Sequence, residues 1–289
     1  MSSSTEKQEI GKVIAAAESV SEAAPASFPA RLLSYRPSTE NIITFVTLSI
    51  IFVIWFEITR RGLVPKIFVP SPGDVWDTFI ETLTKGYHGQ NLIWHLVVSL
   101  ARVLLGWMVA CFIAIPIGLA MGLSSKVRAV FDYIIEFYRP LPPLAYYTLL
   151  VLWFGIGELS KFMLLFLAAI PPLTIGAAEG VKEVSPSVIQ AARSLGANAT
   201  QVFYKIILPA TTPSIITAMR ISLGFTYTVL VAAEIVAARE GIGWMVWDAS
   251  KFLRSDVIFV GIIAMGITGI GLDLIIRMIA KRLLRWRYV

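Results

Sequence analysis

Six charged side chains stand inside apolar segments of this sequence: Arg102, Glu136, Arg139, Arg220, Glu234 and Asp273. Charge is costly in lipid, so such groups face a protein interior or a water-lined cavity and find partners there. Arg139 carries the most chemistry, because it opens the run Arg139-Pro140-Leu141-Pro142-Pro143. A regular helix cannot continue through that density of prolines, so backbone groups are freed at membrane depth and need protein or water as partners. The run therefore reads as the lining of a cavity, and a guanidinium at its mouth attracts a sulfonate, nitrate or carboxylate. The competing reading is a strut, with Arg139 ion-paired to Glu136 or to Glu234. Arg139, Pro140, Pro142, Pro143, Tyr146 and Glu234 are the pathway candidates. Arg220, near the end of its apolar segment, is expected to snorkel towards the interface.

Other chemistry is missing from the sequence. No GxxxxGK[ST] stretch is present to cradle nucleotide phosphates, and no GxSxG, HExxH or paired-carboxylate constellation is present to catalyse a reaction. His88 and His95 stand near one end of an apolar segment without the company a metal needs, and the single cysteine, Cys111, reads as a small core residue. A transport role without its own nucleotide site, cofactor or metal is the expectation. An enzyme is the weaker rival.

The elements that position these residues are membrane spans. Hydrophobic residues make up 56% of the chain and charged residues 15%, with a mean hydropathy of +0.74, far too apolar for a soluble domain. The basic residues flank apolar segments rather than forming an aromatic-interleaved patch, which excludes a nucleic-acid partner. Residues 1–41 read as a cytoplasmic tail without the apolar core of a secretory signal. About six transmembrane helices are expected over 42–280, followed by a basic tail, 281–289. The first span covers about 42–58, and a short interfacial helix follows Pro70-Ser71-Pro72. The second, about 92–123, is long enough to kink or bend into two pieces at Pro116, and its Gly118 and Gly122 permit close helix approach. The third, about 131–154, breaks at Arg139–Pro143, and the fourth, about 159–178, at Pro171-Pro172. The fifth and sixth cover about 213–237 and 257–279. Fourteen Lys and Arg residues fall on the side of the termini and eight on the other, which places both termini inside the cell.

Between the fourth and fifth spans lies a polar interruption, about 182–212, shaped as a docking knob. Ser185-Pro186 starts a short helix, with the hydroxyl positioned to cap it and proline at its first position. Gly196 supplies the left-handed residue that ends it, and Asn198 with Gln201 resembles a capping box for a second helix. Val202, Phe203, Ile206 and Ile207 give that helix an apolar face, and Pro209 is expected to end it, with Thr212-Pro213 opening the next span.

The spacing of Gln190-Ala191-Ala192, Gly196 and Ile206-Ile207-Leu208-Pro209 resembles the EAA motif of ABC-importer permeases, with Gln190 where the motif has glutamate. From about Phe68 onward, VPSPGDV, IPIGLAMGL, YRPLPPLAY, WFGIGELSK, AARSLGA, LVAAEIVAA and GIGWMV are similar to the nitrate, sulfonate and taurine group. YRPLPPLAY and FGIGE look most like taurine and aliphatic-sulfonate permeases. The resemblance implies an all-α membrane protein of the type I ABC-importer permease fold in a bacterial inner membrane, with a cytoplasmic coupling-helix loop. It implies a second copy of the chain, two ABC ATPase subunits that hold ATP and Mg, and a periplasmic or lipid-anchored solute-binding protein. The ATPase-coupling residues it implies are Gln190, Ala191, Ala192, Arg193, Ser194, Leu195, Gly196, Ala197, Val202, Tyr204, Leu208 and Pro209. The cargo it implies is a small anion, taurine or another aliphatic sulfonate first and nitrate or bicarbonate second. An ion-gradient-driven secondary carrier is the alternative class, for which the sequence shows no inverted repeat.

Overall fold

The computed structural model describes residues 39–284. Most of the expected N-terminal tail, and residues 285–289 of the expected basic tail, lie outside them. The described residues form helices throughout: α1 (Thr39–Arg60), α2 (Pro72–Thr84), α3 (Leu92–Leu123), α4 (Ser125–Tyr138), α5 (Pro143–Phe154), α6 (Glu158–Lys182), α7 (Pro186–Ser194), α8 (Ala199–Val202), a π-helical turn (Phe203–Ile207), α9 (Leu208–Ala237), α10 (Ile242–Lys251) and α11 (Ser255–Leu283). Two compact units divide within α1, residues 1–53 and 54–289, and the second holds every element from α2 onward.

Among the described residues, five helical segments are long and apolar enough to cross a membrane: Ile42–Arg60, Leu92–Leu123, Glu158–Lys182, Ala199–Ala237 and Ser255–Leu283. The expected third span is resolved into α4 and the short apolar helix α5, separated by the proline run as anticipated.

α3 carries Pro116 within one helix rather than in two pieces. Pro171 and Pro172 behave differently from expectation, since α6 runs unbroken through both. An interior proline costs a helix about 3 kcal/mol, but α6 is packed between α3 and α9, and that tertiary contact holds the helical path. Pro209 does not end the knob's second helix either. The π turn before it shifts the register so that Leu208 N–H bonds to Phe203 O, and the chain continues as one helix through Pro213 to Ala237.

The core is a three-helix layer whose register follows its small residues. α3 runs parallel to α6, with Gly106 against Leu165, Gly118 against Thr174 and Ala177, and Gly122 against Val181. A Cβ on Gly118 would lie 2.3 Å from Thr174 O, so the backbones touch there and no side chain fits between them. α9 runs antiparallel to α6, with Ala218 against Gly176 and Ser214 against Gly180, and Ser222 Oγ donates to Ala169 O at 3.0 Å. Val103, Ala110, Leu164, Leu165, Leu173 and Leu230 fill the buried centre.

At the end of this layer where α3 and α6 begin, a second cluster joins α2, α10 and α11 through Val75, Leu92, Ile242, Met245, Val257 and Val260. α2 starts with a capping box, Ser71 Oγ accepting from Asp74 N and Asp74 Oδ2 accepting from Ser71 N. Thr78 Oγ1 donates to Asp256 Oδ2 at 2.9 Å, which ties α2 to α11. Here Ser71 and Pro72 open a helix as the sequence predicts.

Candidate functional site

The knob is a helix, a glycine corner and a second helix. α7 begins at Pro186, but Ser185 does not cap it: its hydroxyl pairs with Ser187 Oγ at 2.7 Å, too far round the turn to meet an orphan amide. The C-terminal side forms as the residue types dictate. Gly196 takes φ +85°, and Ala197 N–H returns to Ala192 O at 3.0 Å, closing α7. Asn198 Oδ1 then accepts from Gln201 N at 2.8 Å while Gln201 Oε1 accepts from Asn198 N at 2.9 Å, a reciprocal capping box that starts α8.

The corner divides the coupling candidates between two faces. Val202 and Ile207 are buried against Leu119, Ala177, Val181 and Ile215, with Ala192, Ala197 and Leu208 packed at the edge of the same cluster. These residues seat the knob on the ends of α3, α6 and α9. Gln190, Ala191, Arg193, Ser194, Leu195 and Tyr204 are exposed, Leu195 at 89% and Tyr204 at 62%. Pro209, half-buried, belongs to the seat rather than to the outer face. An exposed leucine and tyrosine on a rigid, membrane-anchored corner form a surface that a partner can cover.

Near the same end a cavity of about 750 Å³ opens between α6, α9 and the proline run. Arg139 lines it together with Pro171, Pro172, Glu179, Glu183, Ser214 and Thr217, and Ser214 Oγ donates to Glu183 Oε2 at 2.7 Å. Arg139 is the one pathway candidate that reaches this cavity: Pro140 and Pro142 are exposed outside it, and Pro143 and Tyr146 are half-buried outside it, the Tyr146 ring 5.2 Å from that of Tyr138. The strut reading of Arg139 is corrected. Glu234 is held by Arg102, and Glu136 is exposed. Arg220 is ion-paired: its Nε donates to Asp273 Oδ1 at 2.8 Å, and Arg277 Nε holds the other oxygen at 2.7 Å.

The opposite end carries a buried polar network that the sequence reading did not assemble. Glu234, fully buried, accepts from Ser99 Oγ at 2.7 Å, Arg102 Nη1 at 2.8 Å and Gly243 N at 2.8 Å. Arg102 also forks onto Glu158, Nε to Oε2 at 2.7 Å and Nη2 to Oε1 at 2.8 Å, and Lys161 Nζ reaches Glu158 Oε1 at 2.6 Å. Glu234 is therefore a clamp residue, not a wall of the cavity.

The same network captures three consecutive backbone amides at the turn into α10. His95 Nδ1 accepts from Gly241 N, Ser99 Oγ from Ile242 N, and Glu234 Oε2 from Gly243 N. A His95 ring that accepts at Nδ1 carries its proton on Nε2, which faces Tyr87 O at 3.4 Å. Gly241 takes φ +116°, and a Cβ there would lie 2.2 Å from Glu234 Oε1, so only glycine lets the carboxylate reach the turn. His95, Ser99 and Arg102 stand four and three residues apart on α3, a polar stripe on an apolar helix. That spacing was the available signal.

Outside the spans, Tyr87 and Asp248 seal this end: Tyr87 Oη donates to Asp248 Oδ2 at 3.1 Å, with His88 Nε2 also 3.1 Å from that oxygen. Burial and the Asp248 carboxylate push the Tyr87 phenol up to about 12. It remains a donor at any physiological pH.

Residues 103–285 match the family described as binding-protein-dependent transport system inner membrane component. The chain is 41% identical over 250 residues to the taurine transport system permease protein TauC of Escherichia coli (strain K12), covering 86% of this chain and 91% of that one. It is 33% identical over 239 residues to a putative aliphatic sulfonates transport permease protein, SsuC, of Bacillus subtilis (strain 168), covering 83% and 85%. It is 31% identical over 208 residues to the nitrate import permease protein NrtB of Leptolyngbya laminosa, covering 72% and 75%. In three dimensions it is similar to a chain of the inward-facing MetNI methionine ABC transporter, with a TM-score of 0.53 at 18% identity over 67% of this chain and 94% of that one.

Proposed function

Since the chain belongs to the family of binding-protein-dependent transport system inner membrane components and has the type I ABC-importer permease fold, we propose that it forms the pathway through which an ATP-driven importer moves taurine or another aliphatic sulfonate. The observation that carries the reading is the knob: a glycine corner seated on three core helices, presenting Leu195, Arg193 and Tyr204 outward. A rigid seat with an exposed apolar tip converts the motion of a docked partner into motion of α3, α6 and α9. Two ATPase subunits dock on the knobs of two copies of this chain. ATP and Mg are held by those subunits, and a binding protein delivers solute to the opposite face. The excess of Lys and Arg on the side of the termini and the knob supports placing them in the cytoplasm.

Taurine is favoured over nitrate by the higher identity to the taurine permease across nearly the whole chain. Arg139 at the rim of the 750 Å³ cavity suits the sulfonate end of a solute, and Glu179 and Glu183 in the same lining suit the ammonium end that taurine also carries. The cavity is ample for a molecule of taurine's size.

Reconstitution in vesicles tests the reading. Taurine uptake is expected only when this chain, its ATPase and ATP are present together. If the purified chain instead moves taurine on a proton or sodium gradient with no ATPase, it is a secondary carrier and the proposal fails.

A further inference from the structure

We propose that Glu158 is the resident occupant of an oxyanion site made by Arg102 and Lys161, and that the sulfonate end of the transported solute exchanges with it. The inference rests on the sulfonate reading above. It starts from an asymmetry in burial. The two cations are almost wholly enclosed, 6% and 4% exposed at the side chain, whereas the carboxylate that both of them hold is 64% exposed. Here only the anion faces outward.

Charge and geometry agree with exchange. Glu234 is enclosed and engaged with Ser99, Arg102 and Gly243, so it cannot leave. If Glu158 leaves, Lys161 loses its contact at 2.6 Å and stands buried without a counter-ion, which is strongly unfavourable. Glu240 Oε1 lies 3.9 Å from Arg102 Nη2 and can share that guanidinium, but among the described residues no carboxylate other than Glu158 is paired with Lys161, so an anion from outside takes the place. A sulfonate has the required charge of −1, two oxygens to match the Nε and Nη2 edge of Arg102, and a third for Lys161 Nζ. The chain before Glu158 leaves room for the swap: Gly155 takes φ +78°, and the space around Gly155 and Gly157 is open. The site lies beside the turn at Gly241–Gly243 that Glu234 holds, so occupancy by solute in place of Glu158 is felt directly by the elements that close this end.

The test uses the whole permease–ATPase complex in lipid nanodiscs and in proteoliposomes. Glu158→Ala is expected to melt below the wild type and to be restored by methanesulfonate, but not by tetramethylammonium at the same ionic strength. The wild type should respond to methanesulfonate only at about tenfold higher concentration, and not to tetramethylammonium. If Glu158 fills the site about nine-tenths of the time, Glu158→Gln should bind taurine about tenfold more tightly, with slower turnover because nothing displaces the anion. Absence of methanesulfonate rescue, or unchanged taurine affinity in Glu158→Gln, overturns the inference. Should neither variant assemble, Glu158→Asp reaches the cations less well and is expected to raise taurine affinity; unchanged affinity there overturns it equally. A wild type that fails to import taurine, alongside a Glu158→Ala complex that methanesulfonate rescues, sinks the sulfonate-transport reading and leaves the oxyanion site standing.

Discussion

The two ends of the α3/α6/α9 layer are built on opposite principles. The knob end is held by local signals: a left-handed glycine, a capping box four residues long and a cluster of apolar side chains, with its charges exposed. The opposite end is held by long-range polar contacts in which Arg102 joins residues from α6 and α9, and three amides of one turn are each met by a different side chain. Apolar seats tolerate small displacements at little cost. A satisfied buried network does not, because each donor that loses its acceptor is left unpaired. The knob end is thus suited to take up a partner's push and pass it on to α3, α6 and α9 through its packed seat. The clamped end is suited to two discrete states, shut or open.

The largest effect should come from breaking the clamp. Arg102→Met leaves fully buried Glu234 and the Glu158–Lys161 pair without their shared partner, a loss of roughly 3 to 5 kcal/mol. The complex should be depleted from the membrane or melt far earlier in detergent, as read by size-exclusion fluorescence of a tagged chain. Adding Glu234→Leu to Arg102→Met should recover part of the loss. An Arg102→Met protein as stable as the wild type would show that the network carries no weight.

Next in size is the helix contact that links the two ends. Gly118→Val would force a Cβ to 2.3 Å from a backbone carbonyl that cannot rotate away, so α3 and α6 must separate, at about 1 to 3 kcal/mol or more. Gly224→Ala on α9 meets nothing within 4 Å and should leave the melting temperature unchanged or slightly higher, since alanine is the better helix former. If both substitutions behave alike, the parallel α3/α6 packing does not set the register.

What was legible in the sequence follows the same division. Gly196, Asn198 and Gln201 were readable because a turn and its cap are decided within a few residues, and the proline run at 140–143 was readable because it overwhelms any helix. Pro171 and Pro172 misled because their cost is set against packing between two other helices, which spacing does not reveal. The Arg139–Glu234 strut failed, and the partner of Arg220 went unread, for a related reason. Which helices face each other decides the partners of a buried charge, and Arg102 with Glu234, or Arg220 with Asp273, are joined across 132 and 53 residues.

At the knob, substitution should cost function before stability. Gly196→Val must adopt φ +85°, a penalty of about 1 to 2 kcal/mol for a residue with a side chain, although the space around its Cβ is open. The chain should reach the membrane at a near-normal level, while taurine-stimulated ATP hydrolysis falls because α7 and α8 no longer meet at the same angle. Gly196→Asn, which tolerates the left-handed region, should retain most of that stimulation. Equal stimulation in the valine variant and the wild type would show that the corner does not transmit motion.

The smallest expected effect compares the capping box at each end. Asn198 and Gln201 carry no titratable group, whereas the box at Ser71 uses Asp74, whose carboxyl is held below the usual range by hydrogen bonds from Ser71 and by Lys66. A group whose folded value is lowered contributes stability that is complete above its unfolded value, about 3.9, and is lost as pH falls through the folded one. Acidification from pH 6 to pH 3 should therefore loosen the first turn of α2 by about 0.5 kcal/mol, the low end for a helix cap, because Asp74 is partly exposed. The first turn of α8 should not change. Amide exchange at both turns, corrected for intrinsic rates, measures the difference, and Asp74→Asn should abolish the pH dependence at α2 alone. If the asparagine variant shows the same loosening in acid, the change comes from elsewhere in the α2 contacts, such as the Asp256 carboxylate that accepts from Thr78.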